Sequence, residues 1–491
     1  MSSMTGLLLA NVEAAQHAGG DHEVSSGVTA LFAVLLVAMI VALALEEKIH
    51  AKKSVIVGVF AGACLVLATA LELLPFGAVT LPPLAGGSAG HEIEMPVYIP
   101  AIDWGVITII LGASLFVEVT SRSGVFTWMA ISLTKKSGGD PWKLLLAYGI
   151  LTVVFSAMLN NVTAMIIIGS LTGVSLAKLK RADLLLGFLV VEGLLTNVGG
   201  LLTLISSVPN IIVGGIAGIG FVDFFLVAAP YVVIATATTL WMGRWKFGIR
   251  GLRDDEERAA AEALVAGFDE NESVPSRKFF WFSIGALVLF VAFLAGQSVL
   301  PVLKELGMGF VALSFAGLVL IAYKHEVDKF YQAVDWDLLA FFAGLFVVIN
   351  TMEHAQVLAV IGSGIEAMIG AGVNLGTGLL LVASAVASSV TDNIPLAAML
   401  AKILKNNPAE YSANAPYWWS VIFGANLGGN ITPIGSASTV VAMTIISKHK
   451  LPLSFVGFVK LASLFAVVQI IIAVAYVVGL TMTGVLSVTS G

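Results

Sequence analysis

The stretch 417–450 constrains this chain more than any other, because it is long and apolar enough to cross a bilayer yet cannot form one continuous helix. Its centre reads GANLGGNITPIGSAS and holds Asn426, Gly428, Gly429, Asn430, Thr432, Pro433, Gly435 and Ser436. Glycine and proline are the poorest helix formers, so the helix is expected to break there. In hydrocarbon each unpaired backbone group costs several kcal/mol, so a break survives only inside protein or beside a wet cavity. The device occurs twice. Residues 192–210 read EGLLTNVGGLLTLISSVPN, and laying Asn197 on Asn426 puts Gly199 and Gly200 on Gly428 and Gly429, Thr203 on Thr432 and Ser207 on Ser436.

With 491 residues, 58% hydrophobic, 11% charged and a mean hydropathy of +0.97, the chain lacks the polar side chains to cover a water-facing globule. It reads as an all-α polytopic membrane protein. A net charge of −6 without a basic run gives no sign of nucleic acid as a partner. Cys64 stands alone, which leaves no disulfide framework and no thiolate cluster for a metal. Neither a nucleophile–base set nor a GxxxxGK[ST] phosphate loop is present, so no enzyme chemistry and no cofactor are expected.

Lys and Arg mark the cytoplasmic loops. Residues 1–27 contain Glu13, Asp21 and Glu23 but no Lys or Arg, and read as a non-cytoplasmic tail. Spans are expected at 28–45, 55–74 and 102–119, with Lys48, Lys52 and Lys53 inside. The run 144–179 is interrupted at Asn160, Asn161 and Thr163 and is flanked by Lys143 and Lys178. Basic residues at both ends point to a re-entrant hairpin turning at mid-depth. Two full spans are the alternative, against which stand arms of only about fifteen apolar residues where about twenty are needed. A broken span at 183–213 and a span at 221–242 complete a first repeat, 28–242. A polar cytoplasmic linker, 243–278, follows.

The second repeat, 279–491, shows the same order: spans at 279–295, 310–323 and 336–352, a hairpin over 376–403 turning at TDNIP, the broken stretch, and a last span at 453–480. Asn393 follows Asn161 by 232 positions, Asp335 follows Asp103 by 232, and Asn426 follows Asn197 by 229. Near-constant offsets argue for a duplicated unit. Five spans per repeat, an odd number, turn the second copy upside down, as in secondary transporters that hold solute where their halves meet.

Two tips and two breaks therefore bring Asn160, Asn161, Thr163, Asn197, Gly199, Asn393, Asn426, Gly429, Asn430, Thr432 and Ser436 to similar depth as candidate solute ligands. Free helix ends present amides to oxygen-rich solutes and carbonyls to cations. The site is expected to hold no Arg or Lys, which argues against fork-like pairing with a dicarboxylate. Asp392, at a tip, is the leading proton-coupling residue, with Glu192 and Glu118 as further relay candidates. For Asp103 and Asp335, each followed by Trp, interfacial anchoring is expected.

At NVTAMI, TNVGG, DNIP and LGGNITPIGS the chain resembles the ion transporter superfamily that contains the ArsB-type arsenite exporters, the NhaD-type sodium/proton antiporters, the melanosomal P protein and the divalent-anion/sodium symporters. The resemblance covers nearly the whole chain, and ITPIGS is most similar to the arsenite pumps. The symporters carry Ser-Asn-Thr at both tips, where this chain has Asn160-Asn161-Val162-Thr163 and Asp392-Asn393-Ile394-Pro395; SSVPN replaces the GDPPN of many relatives. The resemblance implies a scaffold domain, a moving transport domain, elevator-like alternating access, an inner (plasma) membrane location, frequent homodimers and, for some pumps, a soluble ATPase subunit. It implies export of arsenite or antimonite in exchange for protons, with sodium/proton antiport as the alternative.

Overall fold

The computed structural model describes residues 24–74, 77–81, 91–96, 98–297, 300–407 and 409–488. Residues 1–23, most of the expected tail, lie outside the described residues. In the first repeat the helices are α1 (Ser26–Ala44), α2 (Glu46–Ile49), α3 (Lys53–Ala70), α4 (Tyr98–Ala101), α5 (Trp104–Ser121), α6 (Val125–Lys136), α7 (Pro141–Met158), α8 (Asn161–Lys178), α9 (Leu185–Gly199), α10 (Val208–Ala217) and α11 (Phe221–Lys246). The linker carries α12 (Asp255–Ala266). The second repeat comprises α13 (Arg277–Gly296), α14 (Pro301–Ala322), α15 (Val327–Ala333), α16 (Trp336–His354), α17 (Val357–Ile369), α18 (Val373–Val390), α19 (Asn393–Lys405), α20 (Pro416–Gly428), α21 (Ala437–Lys448) and α22 (Phe455–Met482). Besides these, β1 (Gly77–Leu81) and β2 (His91–Met95) pair antiparallel in the loop between α3 and α4.

Among the described residues twelve helices are long and apolar enough to cross a membrane. Both arms of the first hairpin are among them, at 18 residues each, or about 27 Å. They are longer than the fifteen residues expected. Length alone therefore does not separate hairpin from spans, but the tip does. Asn161 hydrogen-bonds Asn197 near the end of α9, so the hairpin turns beside the break of the broken span, part-way along it.

The repeats share local chemistry at several matching positions. Asp103 and Asp335 are N-caps, accepting from the amides of Val106 at 3.1 Å and Leu338 at 3.0 Å. The adjacent Trp104 and Trp336 indoles donate to the carbonyls of Ile99 and Tyr331. Capping thus joins the interfacial role expected of these aspartates. Gly124 (φ 80) and Gln356 (φ 61), 232 apart, are left-handed residues from which α6 and α17 start. Neither of these two short helices was expected, because twelve or thirteen residues fall below the length of a span.

Packing repeats in the same way. α5 lies on α14 where α16 lies on α3, with Gly112 against the Ala312 backbone and Gly344 against Val57. At the centre α9 packs on α21 and α10 on α20. The linker is tied back to the first repeat by Lys135, which donates to Glu270 at 2.6 Å and holds that carboxyl below its usual range. Lys402, in the last turn of α19, pairs with Glu353 at 3.2 Å.

Glycine sets how closely each hairpin approaches its broken helix. A Cβ on Gly199 would stand 2.7 Å from Val153 Cα, and one on Gly428 would stand 2.2 Å from the Ala385 carbonyl oxygen. Gly199→Ala and Gly428→Ala are expected to cost about 1–3 kcal/mol each through overpacking. Thermal unfolding of purified protein in detergent measures this, with Gly317→Ala, which has nothing within 4 Å of its Cβ, expected to leave the midpoint unchanged or raised.

Candidate functional site

The two breaks satisfy their freed backbone groups through the hairpins. Ser156 Oγ donates to the Thr196 carbonyl at 2.6 Å, and its counterpart Ser388 donates to the Ala425 carbonyl at 2.6 Å. In return, Thr203 and Thr432 each donate at 2.6 Å to a carbonyl of the hairpin beside them, those of Ala157 and Ser389. Each hairpin and each broken helix are thereby stitched in both directions, as buried polar groups in hydrocarbon require.

Between the repeats the stitching is reciprocal. Ser436 Oγ donates to Asn197 Oδ1 at 2.9 Å, and Ser207 Oγ donates to Asn426 Oδ1 at 2.7 Å. These two bonds are images of each other under the 229-residue offset, so the pseudo-two-fold axis runs between them. Asn426 Nδ2 also donates to Asn210 Oδ1 at 2.8 Å, and Asn210 Nδ2 donates to the Gly200 and Thr203 carbonyls. Asn197 Nδ2 donates to Asn430 Oδ1 at 2.8 Å; Asn430 Nδ2 reaches the Leu194 carbonyl and Gln469 Oε1, and Gln469 Nε2 reaches Thr239. Asn197, Asn210, Asn426 and Asn430 are all fully buried.

The structure therefore brings most of the expected residues together, in two layers. Asn197, Asn426, Asn430 and Ser436 form the inner, mutually bonded layer. Gly199 and Gly429 serve close packing there, Gly429 against Ser436. The outer layer is more open. Asn160 is exposed and caps α8 through the Thr163 amide at 2.8 Å, and Asn161 is half-buried, with its Oδ1 2.6 Å from Ser156 Oγ, whose one proton is shared with the Thr196 carbonyl. Thr163 and Thr432 are half-buried, whereas Asn393 is buried behind the second tip.

The carboxylates fall in three different places. Glu192 is wholly buried one to two turns before Asn197; its Oε1 accepts from Thr172 Oγ1 at 2.6 Å, and its Oε2 has no hydrogen-bond partner among the described residues. Asp392 caps α19 through the Ile394 amide and is ion-paired with Lys53 at the start of α3. This corrects the expectation of a site free of Lys and Arg: Lys53, read as a loop residue, reaches the second tip. Glu118 is not in the cluster; it pairs with Arg122 one turn on, at 2.9 Å. Asn210, Ser438, Gln469, Thr239 and Lys53 were not foreseen as site residues. For Gln469 a signal exists, since it is the one side-chain amide in the apolar run 461–480.

A family model described as "Citrate transporter" matches residues 22–424. The chain belongs to this citrate transporter family. It is 31% identical over 410 residues to the 46 kDa membrane protein of Mycobacterium leprae, covering 81% of this chain and 90% of that one. It is 30% identical over 396 residues to a protein of Mycobacterium tuberculosis named a transporter, covering 80% and 90%. The human P protein is 25% identical over 450 residues; that match takes in 76% of this chain and 53% of the longer relative. Among solved structures the YdaH transporter of Alcanivorax borkumensis shares the fold, with a TM-score of 0.58 at 14% identity over 88% of this chain and 99% of that one. The protein is a multi-pass membrane transporter of the citrate transporter family, with the P protein among its relatives.

The two layers predict different mutational costs. Asn197→Ala strands the donors of Asn161, Ser436 and Ser438 that converge on it, at about 1–3 kcal/mol for each buried group left without a partner. Asn160→Ala removes an exposed cap, at about 1 kcal/mol. Thermal unfolding in detergent is expected to rank Asn197→Ala far below Asn160→Ala.

Proposed function

We propose that the protein is a secondary active transporter that exports trivalent arsenic or antimony across the inner membrane in exchange for protons, by elevator-like movement of its hairpins and broken helices. One observation carries this reading: the tips and breaks converge on amides, hydroxyls and peptide groups, while the ammonium that reaches them, Lys53, is already neutralised by Asp392. An uncharged arsenic hydroxide presents three OH groups that such a surface matches without buried counter-charge. Asn160, Asn161 and Thr163 are the first contacts, being the more open side chains at the first tip. Asn197 and Asn430 hold them in place.

Glu192 carries the proton. Burying an ionised carboxylate beside a single hydroxyl, without a cation, costs several kcal/mol, so a proton accompanies it into the buried state. A carboxylate placed this way inside a membrane protein is a functional residue by default. Asp392 acts at the second tip, where its bond to Lys53 joins the hairpin to α3.

A second reading, sodium/proton antiport, draws on the same ion pair: the Lys53 ammonium occupies a place beside Asp392 that a metal cation could take. Citrate, the solute in the family's description, would need unpaired cations for three carboxylates. Everted vesicles distinguish the three. Arsenite uptake abolished by a protonophore is expected, with no proton efflux on adding sodium and no citrate accumulation; sodium-driven efflux without arsenite uptake rejects the leading reading. Glu192→Gln is expected to stay in the membrane and bind solute while losing more than tenfold in protonophore-sensitive uptake. Asp392→Asn leaves the half-buried Lys53 only the more distant Glu46, at 3.9 Å, as a carboxylate partner, and adding Lys53→Met is expected to restore the unfolding midpoint but not coupled transport.

A further inference from the structure

A hollow of about 490 Å³ lies at the carboxyl end of α11, and none of its lining residues belongs to the asparagine cluster. Trp241, Arg244, Trp245, Arg250 and Arg253 face it. Trp241 and Trp245, one turn apart on one face of the helix, are 66% and 73% exposed. Such rings at the end of a membrane-spanning helix sit at headgroup level.

The loop that carries two of the arginines is held in position. Gly248 is left-handed at φ 62, and the amide of Ile249 turns back to the Arg244 carbonyl at 3.0 Å, closing the helix with Ile249 fully buried. The Leu252 amide donates to Asp140 Oδ2 at 3.0 Å, which pins the chain between Arg250 and Arg253. Arg250 and Arg253 have no hydrogen bond or ion pair among the described residues, and the Arg244 guanidinium lies 4.7 Å from the Trp142 ring centroid.

Charge favours an anion. The lining holds three guanidinium groups and no carboxylate; beside it stand Asp140, already accepting from three amides, and the helix carboxyl end, equivalent to about half a negative charge, while the acidic run 254–257 lies outside the lining, with Asp255 paired to Arg258. The balance stays positive. We propose that this hollow binds the phosphate of an anionic glycerophospholipid headgroup from the leaflet on the linker side. Guanidinium forks match phosphate oxygens two at a time, and the two Trp rings flank the glycerol and upper acyl region. A free phosphate would share the arginines and leave the tryptophans without a role.

The test uses the full chain purified in detergent with phosphatidylcholine. Phosphatidylglycerol, phosphatidylcholine and inorganic phosphate are titrated separately, reading the unfolding midpoint and, by native mass spectrometry, the lipids retained. Phosphatidylglycerol is expected to be retained and to raise the midpoint, and Arg250→Gln/Arg253→Gln to weaken its binding roughly tenfold. The midpoint in phosphatidylcholine should stay where it was. Lys329→Gln, at an exposed residue paired with Glu326 in the second repeat, should leave binding intact. Equal binding of both lipids, or undiminished phosphatidylglycerol binding in the double variant, overturns the proposal. Equivalent stabilisation by inorganic phosphate overturns the lipid assignment in favour of a soluble anion. Should the double variant fail to fold, the single variants give the same reading at smaller amplitude.

Discussion

Two hydrogen bonds, Ser436 to Asn197 and Ser207 to Asn426, are what the rest of the architecture depends on. Each links the break of one repeat to the broken helix of the other, and the pair lies across the pseudo-two-fold axis. Interrupted backbone cannot face hydrocarbon. Placing one break against the other lets their side chains satisfy each other, and each hairpin then covers the carbonyls left over. The hydroxyls of Ser156, Ser388, Thr203 and Thr432 complete that arrangement, and the close contacts at Gly199 and Gly428 permit it. The outer helices pack in pairs, α3 on α16 and α14 on α5, and the inner asparagines are hydrogen-bonded to one another across the centre.

Departures from the two-fold relation are where function is best sought. Under the same offsets, Glu192 corresponds to Val421, Asn430 to Leu201, and Asp392 to Asn160. The bonds shared by both repeats are architecture, because duplication alone would preserve them as long as they hold the breaks together. A buried carboxylate with an unpaired oxygen, an asparagine whose amide runs on to Gln469 and Thr239, and an ion pair at one tip only have no such counterpart. They make the halves chemically different while leaving them geometrically alike.

Much of the site was legible in the sequence. Asn, Gly and Pro inside apolar runs mark breaks wherever they occur, since neither glycine nor proline sustains a helix and exposed backbone cannot face lipid. Repeating those marks at offsets of 232 and 229 was enough to pair Asn197 with Asn426 and Asn161 with Asn393 as equivalents. The two layers were not visible in that pattern. Asn197 and Asn160 look alike as letters, yet one is a fully buried junction and the other an exposed cap. The expectation of a cation-free site failed for a related reason: Lys53 lies 339 positions from Asp392, and nothing local announces the contact.

The sequence by itself determined the membrane class, the order of spans, hairpins and breaks, and the duplication, because these follow from hydropathy and from residues that cannot continue a helix. Only the tertiary structure decided which donor meets which acceptor, that Glu118 is spent on Arg122 while Glu192 is buried, and that a lysine closes the second tip. In a chain apolar on nearly every face, helical periodicity carries little information about which side turns inward. Partners are then chosen by the packing of whole helices, where residues hundreds of positions apart come within hydrogen-bonding distance.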